Sequence, residues 1–353
     1  MAAALGVLAS CGSVKSGEDA IAASRDSKVV VAYVTSWSDV MPDPQCMTHI
    51  NYAFGHVNES FNGVKIDNEE RLKQIVDLKK QKPDLKVLLS IGGWGSGRFS
   101  EMAANDEYRR AFAVDCERVV EEFALDGIDI DWEYPTSSMA NISSSPDDTE
   151  NFTLLMQDIR AAIGNEKELT LATVASARYI DFKAILPSVD FVNIMAYDMA
   201  SAPKHHSALY PSGHSGDITS DGAVTAHLKA GVPPSKLVMG MPFYGRGGDG
   251  YPSFQDYNKV GNTDTQYTEK WDEVAQVPYL ADKNDTLVFG FENPRSLAIK
   301  CQYILDKDLL GGMYWDYSGD NEQGDLRRTV AENLLGKPHK AKVLVLTERG
   351  GQH

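Results

Sequence analysis

The chain of 353 residues has few cysteines and little positive charge, and it lacks a long hydrophobic run. Its four cysteines are far apart and no pair has metal-ligand spacing, which excludes a disulfide scaffold and a zinc ribbon. No run reaches the ~18 apolar residues that a membrane helix needs. The formal net charge of −16 repels phosphate, so we expect no nucleic acid and no anionic membrane surface as a partner.

The N-terminal segment resembles the end of a bacterial lipoprotein signal peptide. Leu8-Ala9-Ser10-Cys11 matches the lipobox pattern, in which the cysteine becomes lipidated and N-terminal. Residues 12–28 are rich in serine, alanine and charge, as a tether should be. The positively charged start of a signal is missing, and a chance run of alanine and leucine is the alternative. We expect residues 1–28 to be a signal remnant and linker, with a lipid anchor through Cys11 and a secreted or envelope-anchored protein.

Eight short apolar runs bounded by turn residues predict β-strands, at 29–37, 49–57, 86–94, 127–134, 169–176, 191–198, 236–244 and 311–317. Several are apolar nearly throughout, which is typical of parallel strands covered on both faces. Helix-like segments lie between most of them, at 68–82, 108–123, 148–163, 296–309 and 325–335. Strands that alternate with helices in this number predict an α/β fold, a (β/α)₈ TIM barrel over residues 29–336.

A doubly wound sheet is the alternative architecture. It normally has fewer strands, and a Gly-x-Gly-x-x-Gly loop follows its first strand, which this chain lacks. The nearest sequence, at residues 92–97, has the wrong glycine spacing and a tryptophan where a phosphate would lie.

Two regions do not fit a simple barrel. Residues 247–292 form a long excursion between the seventh and eighth strands, longer than a loop should be. The tail at 337–353 contains a buried-type strand followed by a glycine-rich turn. We interpret it as the opening of a second α/β domain; an extra strand on the barrel and a disordered end are the alternatives.

Residues 125–135, Leu-Asp-Gly-Ile-Asp-Ile-Asp-Trp-Glu-Tyr-Pro, alternate with a period of two. One face of this strand carries isoleucine and tryptophan, and we expect Trp132 in the core; the other carries Asp129, Asp131 and Glu133. Crowding like charges costs free energy, so the pattern predicts a site. Glu133 lies at the barrel mouth, with Asp131 ~6.6 Å deeper along the strand. The second carboxylate raises the pKa of the pair, which makes Glu133 a candidate general acid.

Two catalytic carboxyl groups suggest glycoside hydrolysis, but the usual scheme needs them on opposite sides of the scissile bond. Asp131 and Glu133 share one face of one strand, so they cannot easily flank a sugar. Something else must attack the anomeric carbon. The carbonyl oxygen of an N-acetyl group on the substrate could do so, with Asp131 orienting that acetamido group.

The motif Asp126-x-x-Asp129-x-Asp131-x-Glu133 resembles the signature of glycoside hydrolase family 18, the chitinase family. Four further motifs match those of the family's third, sixth, seventh and eighth strands, at 90–94 (Ser-Ile-Gly-Gly-Trp), 195–198 (Met-Ala-Tyr-Asp), 240–246 (Gly-Met-Pro-Phe-Tyr-Gly-Arg) and Trp315. The resemblance covers about residues 29 to 335. It implies a catalytic barrel at 29–336.

The resemblance also implies roles for single residues. Glu133 would protonate the glycosidic oxygen, Asp131 would hold the acetamido nitrogen, and Asp129 would pair with Asp131 beneath it. Tyr197 would hydrogen-bond the acetamido carbonyl. Trp315 would form the floor of the subsite, since an indole offers a flat apolar face to sugar C–H bonds. The remaining cleft residues implied are Met195, Asp198, Tyr33, Phe54, Trp94, Tyr244 and Arg246.

The implied enzyme is a retaining, substrate-assisted chitinase that acts on chitin or chitooligosaccharides as a monomer, without cofactor or metal. The excursion at 247–292 is shorter than in larger family members, so we expect an open groove and endo cleavage. The alternatives are an endo-β-N-acetylglucosaminidase acting on N-glycans and a catalytically silent chitin-binding lectin. Tyr33 and Phe54 could equally be core aromatics, and His205, His206 and His214 in a Ser/Pro/Gly-rich loop should be solvated.

Overall fold

Eight parallel strands close into a barrel in the computed structural model, which describes residues 28–248, 250–260 and 266–336. The strands are β1 (Val29–Thr35), β2 (His49–Val57), β4 (Lys86–Gly92), β5 (Gly127–Asp131), β6 (Glu168–Val174), β7 (Phe191–Met195), β8 (Leu237–Pro242) and β14 (Gly311–Trp315). The barrel is closed because β1 pairs in parallel with both β14 and β2. The short β3 (Val64–Ile66) runs antiparallel to β2. The predicted (β/α)₈ barrel is confirmed.

Helices cover the outer face of the barrel. They are α1 (Glu69–Val76), α2 (Phe99–Ala104), α3 (Asp106–Glu122), α4 (Asp148–Ile163), α5 (Phe182–Ile185), α6 (Ser220–Lys229), α7 (Pro294–Asp306) and α8 (Asp325–Leu335). Side-chain caps fix several of their starts: Asn105 accepts from two amides of α3, and Asn293 with Ser296 forms a capping box before α7. All five helical segments predicted from the periodicity are present.

The outward side chains of β5 join the core between barrel and helices. Trp132, just after β5, stacks on Phe99 of α2 at 5.3 Å and meets Phe152 of α4 edge-on at 5.9 Å. The expectation that this tryptophan is a core residue is confirmed. Alternation along β5 therefore sends its apolar residues to the helices and its carboxyl groups into the barrel.

The predicted excursion between the seventh and eighth barrel strands contains a second, antiparallel sheet. Its strands are β9 (Tyr244–Gly247), β10 (Gln255–Asp256), β11 (Thr268–Asp272), β12 (Val277–Ala281) and β13 (Leu287–Gly290), in the order β10-β9-β13-β12-β11. Strand β9 begins two residues after β8 ends, so the sheet grows directly from the barrel mouth. This inserted sheet forms a wall beside the site described below.

The loop after β7 is anchored by buried histidines, so the expectation that they are solvated is wrong for His205 and His206. Both are 1% exposed, whereas His214 is exposed as expected. His205 Nε2 lies 3.1 Å from Asp272 on β11, and His206 Nδ1 lies 3.4 Å from Asp198. Burial lowers the pKa of His205 to about 4, so the ring is neutral at pH 7.

A fully buried ion pair holds the same loop from the other side. Lys300 of α7 bonds the carboxylate of Glu292 and donates to the carbonyl oxygen of Ser207 at 2.5 Å. The Ser207 hydroxyl donates to Glu292 at 2.6 Å. The loop after β7 is therefore fixed to the end of the inserted sheet and to α7.

Replacing Lys300 with methionine should destabilise the fold by about 3–5 kcal/mol, because it leaves Glu292 buried without its counter-charge. Urea unfolding at pH 7 measures this change. Lys73→Met is the matched control: it removes an exposed lysine bonded to Glu70, and little or no change is expected. A loss for Lys300→Met no larger than for Lys73→Met would contradict the anchoring role.

Of the predicted signal remnant and linker at 1–28, residues 1–27 lie outside the described residues, as does the predicted second domain at 337–353. Within the described ranges, no helix is long and apolar enough to cross a membrane.

Candidate active site

The carboxyl groups of β5 line up from the barrel interior to its mouth. Asp129 is fully buried, Asp131 is 4% exposed and Glu133, two residues beyond the strand, is 9% exposed. The order along the strand that the sequence predicts is confirmed. Glu133 is the outermost of the three and the one nearest to solvent.

Asp129 is held by a ring of hydrogen-bond donors. Four side chains donate to its two carboxylate oxygens, from four different strands: Tyr33 (2.9 Å), Ser90 (2.8 Å), Thr170 (2.6 Å) and Asn193 (3.3 Å). Burial raises its pKa even so, since desolvation outweighs these bonds. The resemblance implies a pairing of Asp129 with Asp131, and the charge of Asp129 does help to raise the pKa of Asp131. The hydrogen bonds to Asp129 come from these four donors.

Two of those donors bear on the sequence interpretation. The sequence leaves Tyr33 open as a cleft residue or a core aromatic. It is 2% exposed, and its hydroxyl donates to Asp129, the innermost member of the row formed by Asp129, Asp131 and Glu133, here called the carboxyl column. Ser90, in the third-strand motif, likewise donates a hydrogen bond to Asp129. Sequence alone could not distinguish these roles, because they depend on which strand ends meet across the barrel.

Asp131 and Glu133 form the titratable pair above this ring. Burial is the largest cause that raises the pKa of both, with charge repulsion from Glu133 and Asp129 added for Asp131. The pKa of Glu133 rises to about 7. The sequence predicts the neighbouring carboxylate as the main cause of this rise, but the main cause is burial. The two groups influence each other, so each titration depends on the other, and burial favours the protonated form of both. Asp131 Oδ1 is buried and has no hydrogen-bond partner among the described residues.

Tyr197 and Asp198 face the pair from the end of β7. Burial raises the pKa of Tyr197, and the charges of Asp131 and Glu133 add to this, so its hydroxyl stays protonated and can donate. Burial opposes ionisation of Asp198, but hydrogen bonds from Arg246 and His206 outweigh it and keep that pKa below its usual range. The site therefore holds one ionised carboxylate beside a proton-bearing pair.

Arg246 forms a bidentate ion pair with Asp198. Its Nε and Nη2 each lie 2.6 Å from one oxygen of Asp198. The guanidinium sits over the rings of Tyr244 at 5.4 Å and Phe254 at 5.3 Å, which stack on each other. Such a bidentate, stacked arginine is geometrically rigid, so it fixes this side of the cleft.

These groups open into a cleft of about 650 Å³ at the barrel mouth. Eleven of the twelve predicted site residues line it: Tyr33, Phe54, Trp94, Asp131, Glu133, Met195, Tyr197, Asp198, Tyr244, Arg246 and Trp315. The twelfth, Asp129, lies beneath. Phe54 was weighed as a core aromatic; it is 8% exposed but its ring lies against Trp315 at 5.6 Å, on the cleft floor.

A larger cavity of about 990 Å³ lies elsewhere, between the loop after β1 and the segment after β14. Its lining includes Tyr257, Asn258, Tyr317 and Arg327, and none of the β5 carboxyl groups. Burial also raises the pKa of Asp320 in this larger cavity, but its oxygens accept hydrogen bonds from the amides of Leu326 and Arg327. The smaller cleft brings together two carboxyl groups of raised pKa, one of which has a buried oxygen without a hydrogen-bond partner among the described residues, and this marks it as the site.

Comparison with known proteins agrees with this geometry. The family model described as glycosyl hydrolases family 18 matches residues 29–320. The chain belongs to glycosyl hydrolase family 18. It is 30% identical to chitinase A1 of Niallia circulans over 87% of this chain and 58% of that protein, so it spans little more than half of that relative. It is 31% identical to chitotriosidase-1 of Mus musculus over 84% of this chain and 74% of that one.

Two solved structures of the family are similar to this chain. A family 18 N-acetylglucosaminidase from Paenibacillus barengoltzii is 33% identical, with a TM-score of 0.80 over 87% of this chain and 99% of that one. The Ostrinia furnacalis Group IV chitinase in complex with allosamidin is 29% identical, with a TM-score of 0.79 over 88% of this chain and 99% of that one.

In this family 18 chain, the glycines of the third-strand motif allow the catalytic strand to approach closely. A Cβ on Gly92 would collide with the carbonyl oxygen of Asp131, and one on Gly93 would lie 2.7 Å from the Phe54 ring. Both have positive φ, 133° and 93°. Both glycines therefore shape the barrel wall, because a side chain at either position would collide with a neighbour.

Several lining residues of the family 18 cleft were not predicted: Trp37, Tyr134, Met139, Arg178 and Phe254. Trp37 is 64% exposed and ends the first predicted strand, so its place at the carboxyl end of a barrel strand was a usable signal. Phe254 lies in the insertion, and no periodic pattern marks it.

Replacing Glu133 with glutamine should stabilise the folded protein, and increasingly so as the pH rises. The raised pKa means that the folded state binds this proton more tightly than the unfolded one, so wild-type stability falls between the unfolded pKa of 4.5 and the folded pKa of about 7. Glu133→Gln avoids this loss, a gain of about 3 kcal/mol at pH 8 relative to pH 4.

Urea unfolding at both pH values measures that gain. Glu121→Gln, an exposed position of α3, is the control and should show no pH-dependent gain. Equal gains for Glu133→Gln at pH 4 and pH 8 would show that the Glu133 pKa is not raised.

Proposed function

We propose that this protein is a chitinase, which hydrolyses β-1,4 bonds between N-acetylglucosamine units by substrate-assisted, retaining catalysis. The observation that carries the proposal is the placement of Asp131 and Glu133 together in the cleft, where Asp131 Oδ1 is buried without a hydrogen-bond partner among the described residues. The raised pKa of Glu133, about 7, supports its role as the acid. Family 18 is among the exceptions to the two-carboxylate scheme, because the substrate's own acetamido group attacks.

In the proposed first step, Glu133 gives its proton to the glycosidic oxygen as the bond to the anomeric carbon breaks. The acetamido carbonyl oxygen forms a bond to the same carbon from the opposite side. Asp131 accepts a hydrogen bond from the acetamido N–H, and the Tyr197 hydroxyl donates to the carbonyl oxygen. In the second step, Glu133 takes a proton from the water that displaces the acetamido oxygen. Two inversions at one carbon give net retention.

The aromatic floor supplies the binding energy for the sugar. Trp315 lies among Tyr33, Phe54 and Trp37, with ring centroids 5.6–6.4 Å away. Its indole offers a flat face to sugar C–H bonds and a polar edge. This packing holds the ring in one orientation, so little side-chain entropy is lost when a sugar stacks on it.

We infer an endo mode of cleavage. The lining of the cleft includes Trp37 and Trp94, which are 64% and 60% exposed, and the insertion contributes Tyr244, Arg246 and Phe254 to it. A chain of sugars can therefore lie across the groove. The named activity of the Paenibacillus relative, N-acetylglucosaminidase, favours removal of single units as the second candidate.

Incubation of the chitin hexamer with the wild type should yield shorter oligomers, detected by mass spectrometry, and Glu133→Gln should be slower by about 10²–10⁴-fold, the contribution of a general acid. Glu121→Gln should match the wild type. Early dimers, trimers and tetramers together indicate endo cleavage, and monomers with pentamers indicate an N-acetylglucosaminidase. Binding without cleavage by the wild type would support a lectin, and release of N-glycans instead would support the glycan-trimming alternative.

The value of kcat/KM should fall above pH ~7, tenfold per pH unit, because the general acid must hold its proton in the free enzyme. This sign follows from the raised pKa of Glu133, about 7. Initial rates from pH 5 to 10 on the chitin hexamer measure the profile. A constant kcat/KM up to pH 9 would exclude Glu133 as an acid with that pKa.

A further inference from the structure

Trp94 lines the cleft from a loop in which it is flanked by two glycines. It is 60% exposed and touches Tyr134 edge-on at a centroid distance of 6.4 Å. Its neighbours Gly93 and Gly95 have φ values of 93° and 82°. Because glycine loses the most conformational freedom on folding, such a loop needs anchors on both sides to keep the ring in one place.

The first anchor joins the loop to the catalytic strand. The Gly93 amide donates to the carbonyl oxygen of Asp131 at 2.9 Å, and the Ser96 amide donates to the carbonyl oxygen of Gly93 at 2.9 Å. The backbone before Trp94 is thus tied to the strand that carries the acid. The Ser96 amide closes the turn around Trp94, and the side chain of Ser96 adds a second anchor.

That second anchor is a relay of three side chains. The Ser96 hydroxyl lies 2.8 Å from Nδ1 of His56, and Nε2 of His56 lies 2.9 Å from Asp67. Both ring nitrogens of His56 are therefore engaged, one with the serine hydroxyl and the other with the Asp67 carboxylate. The relay consequently joins the Trp94 loop to the end of β2 and to the segment after β3.

The far end of the relay is rigid. The Asp67 amide donates to the carbonyl oxygen of Phe54 at 3.0 Å, and the hydroxyl of the fully buried Tyr52 donates to the Asp67 carbonyl oxygen at 2.9 Å. The Asp67 backbone is therefore part of the barrel wall. His56 therefore connects this fixed backbone to Ser96, which lies two residues after Trp94.

We propose that His56 is a positioning residue for substrate binding: the Ser96–His56–Asp67 relay fixes Trp94 at the edge of the cleft. The inference rests on the proposed function, in that the bound ligand is a chitooligosaccharide. His56 does not touch the reacting atoms. It acts on the affinity for the sugar unit that stacks on Trp94, and the proton transfer by Glu133 is unaffected.

Ser96→Ala and His56→Ala should each raise KM for the chitin hexamer about 2- to 10-fold, the range that corresponds to loss of one hydrogen bond, with kcat changed less than about twofold. Ser143→Ala is the matched control: it also removes a serine hydrogen bond, to Glu101, at a position that does not line the cleft. Unchanged KM in both relay variants would overturn the proposal.

A double-mutant cycle with Trp94→Ala separates positioning from general stability. Without the indole, His56→Ala should add no further rise in KM, because its effect is transmitted through that ring. Additive effects would overturn the proposal, since they would mean that His56 acts elsewhere. Melting temperatures of all variants show whether each is folded.

Fluorine NMR of 5-fluorotryptophan protein tests the relay without any sugar. The resonance that disappears in Trp94→Phe identifies Trp94, and it should shift or broaden in Ser96→Ala and His56→Ala but not in Ser143→Ala. If the wild type does not cleave or bind chitooligosaccharides, the proposed function fails while this readout still judges the relay. An unmoved Trp94 resonance in both relay variants would overturn the relay itself.

Discussion

The hydrogen-bond ring around Asp129 is the constraint on which the site depends. Its four donors come from β1, β4, β6 and β7, so the ring exists only when the barrel is closed. A carboxyl group without exposed surface is tolerable there because each oxygen accepts two bonds. Asp131, the next inward position on β5, has an oxygen without such a donor. The barrel thus supplies hydrogen-bond donors to Asp129, whereas burial raises the pKa values of Asp131 and Glu133 above it.

The contacts that fix the loop after β7 also determine the geometry of the barrel mouth. Asp198 reaches the pair only because its loop is fixed by His205, His206 and the buried contact between Lys300 and Glu292. Arg246 then keeps Asp198 ionised and aligned. The inserted sheet supplies both Arg246 and Asp272, and so it positions catalytic-site groups as well as forming a wall.

The barrel and most of the site could be predicted because both leave short-range patterns in the sequence. Alternation in β5 separates core from carboxyl column, and the strand-end motifs place cleft residues such as Tyr197 and Trp315. The buried state of His205 could not be predicted, because its carboxylate partner Asp272 lies 67 residues away and is brought near only by the fold. His206 is close in sequence to its partner Asp198, but no periodic pattern in that Ser/Pro/Gly-rich loop marks the histidine as buried. Local spacing also suggested a neighbouring charge as the main cause of the Glu133 pKa, whereas the enclosing barrel makes burial the larger one.

The carboxyl groups and the exposed aromatic residues of this cleft stand on different kinds of structure. The carboxyl groups stand on or directly beyond a barrel strand: β5 pairs with β4 as far as Asp131 and with β6 as far as Ile130, and Glu133 follows two residues after the strand ends. The exposed aromatic residues Trp37, Trp94 and Phe254 stand on loops and on the insertion. Loops tolerate change that barrel strands do not, since few buried contacts depend on them. Relatives with the same barrel carry different named activities, chitinase and N-acetylglucosaminidase. The geometry therefore predicts that substrate length is determined by where these aromatic rings are held, while the carboxyl column stays the same.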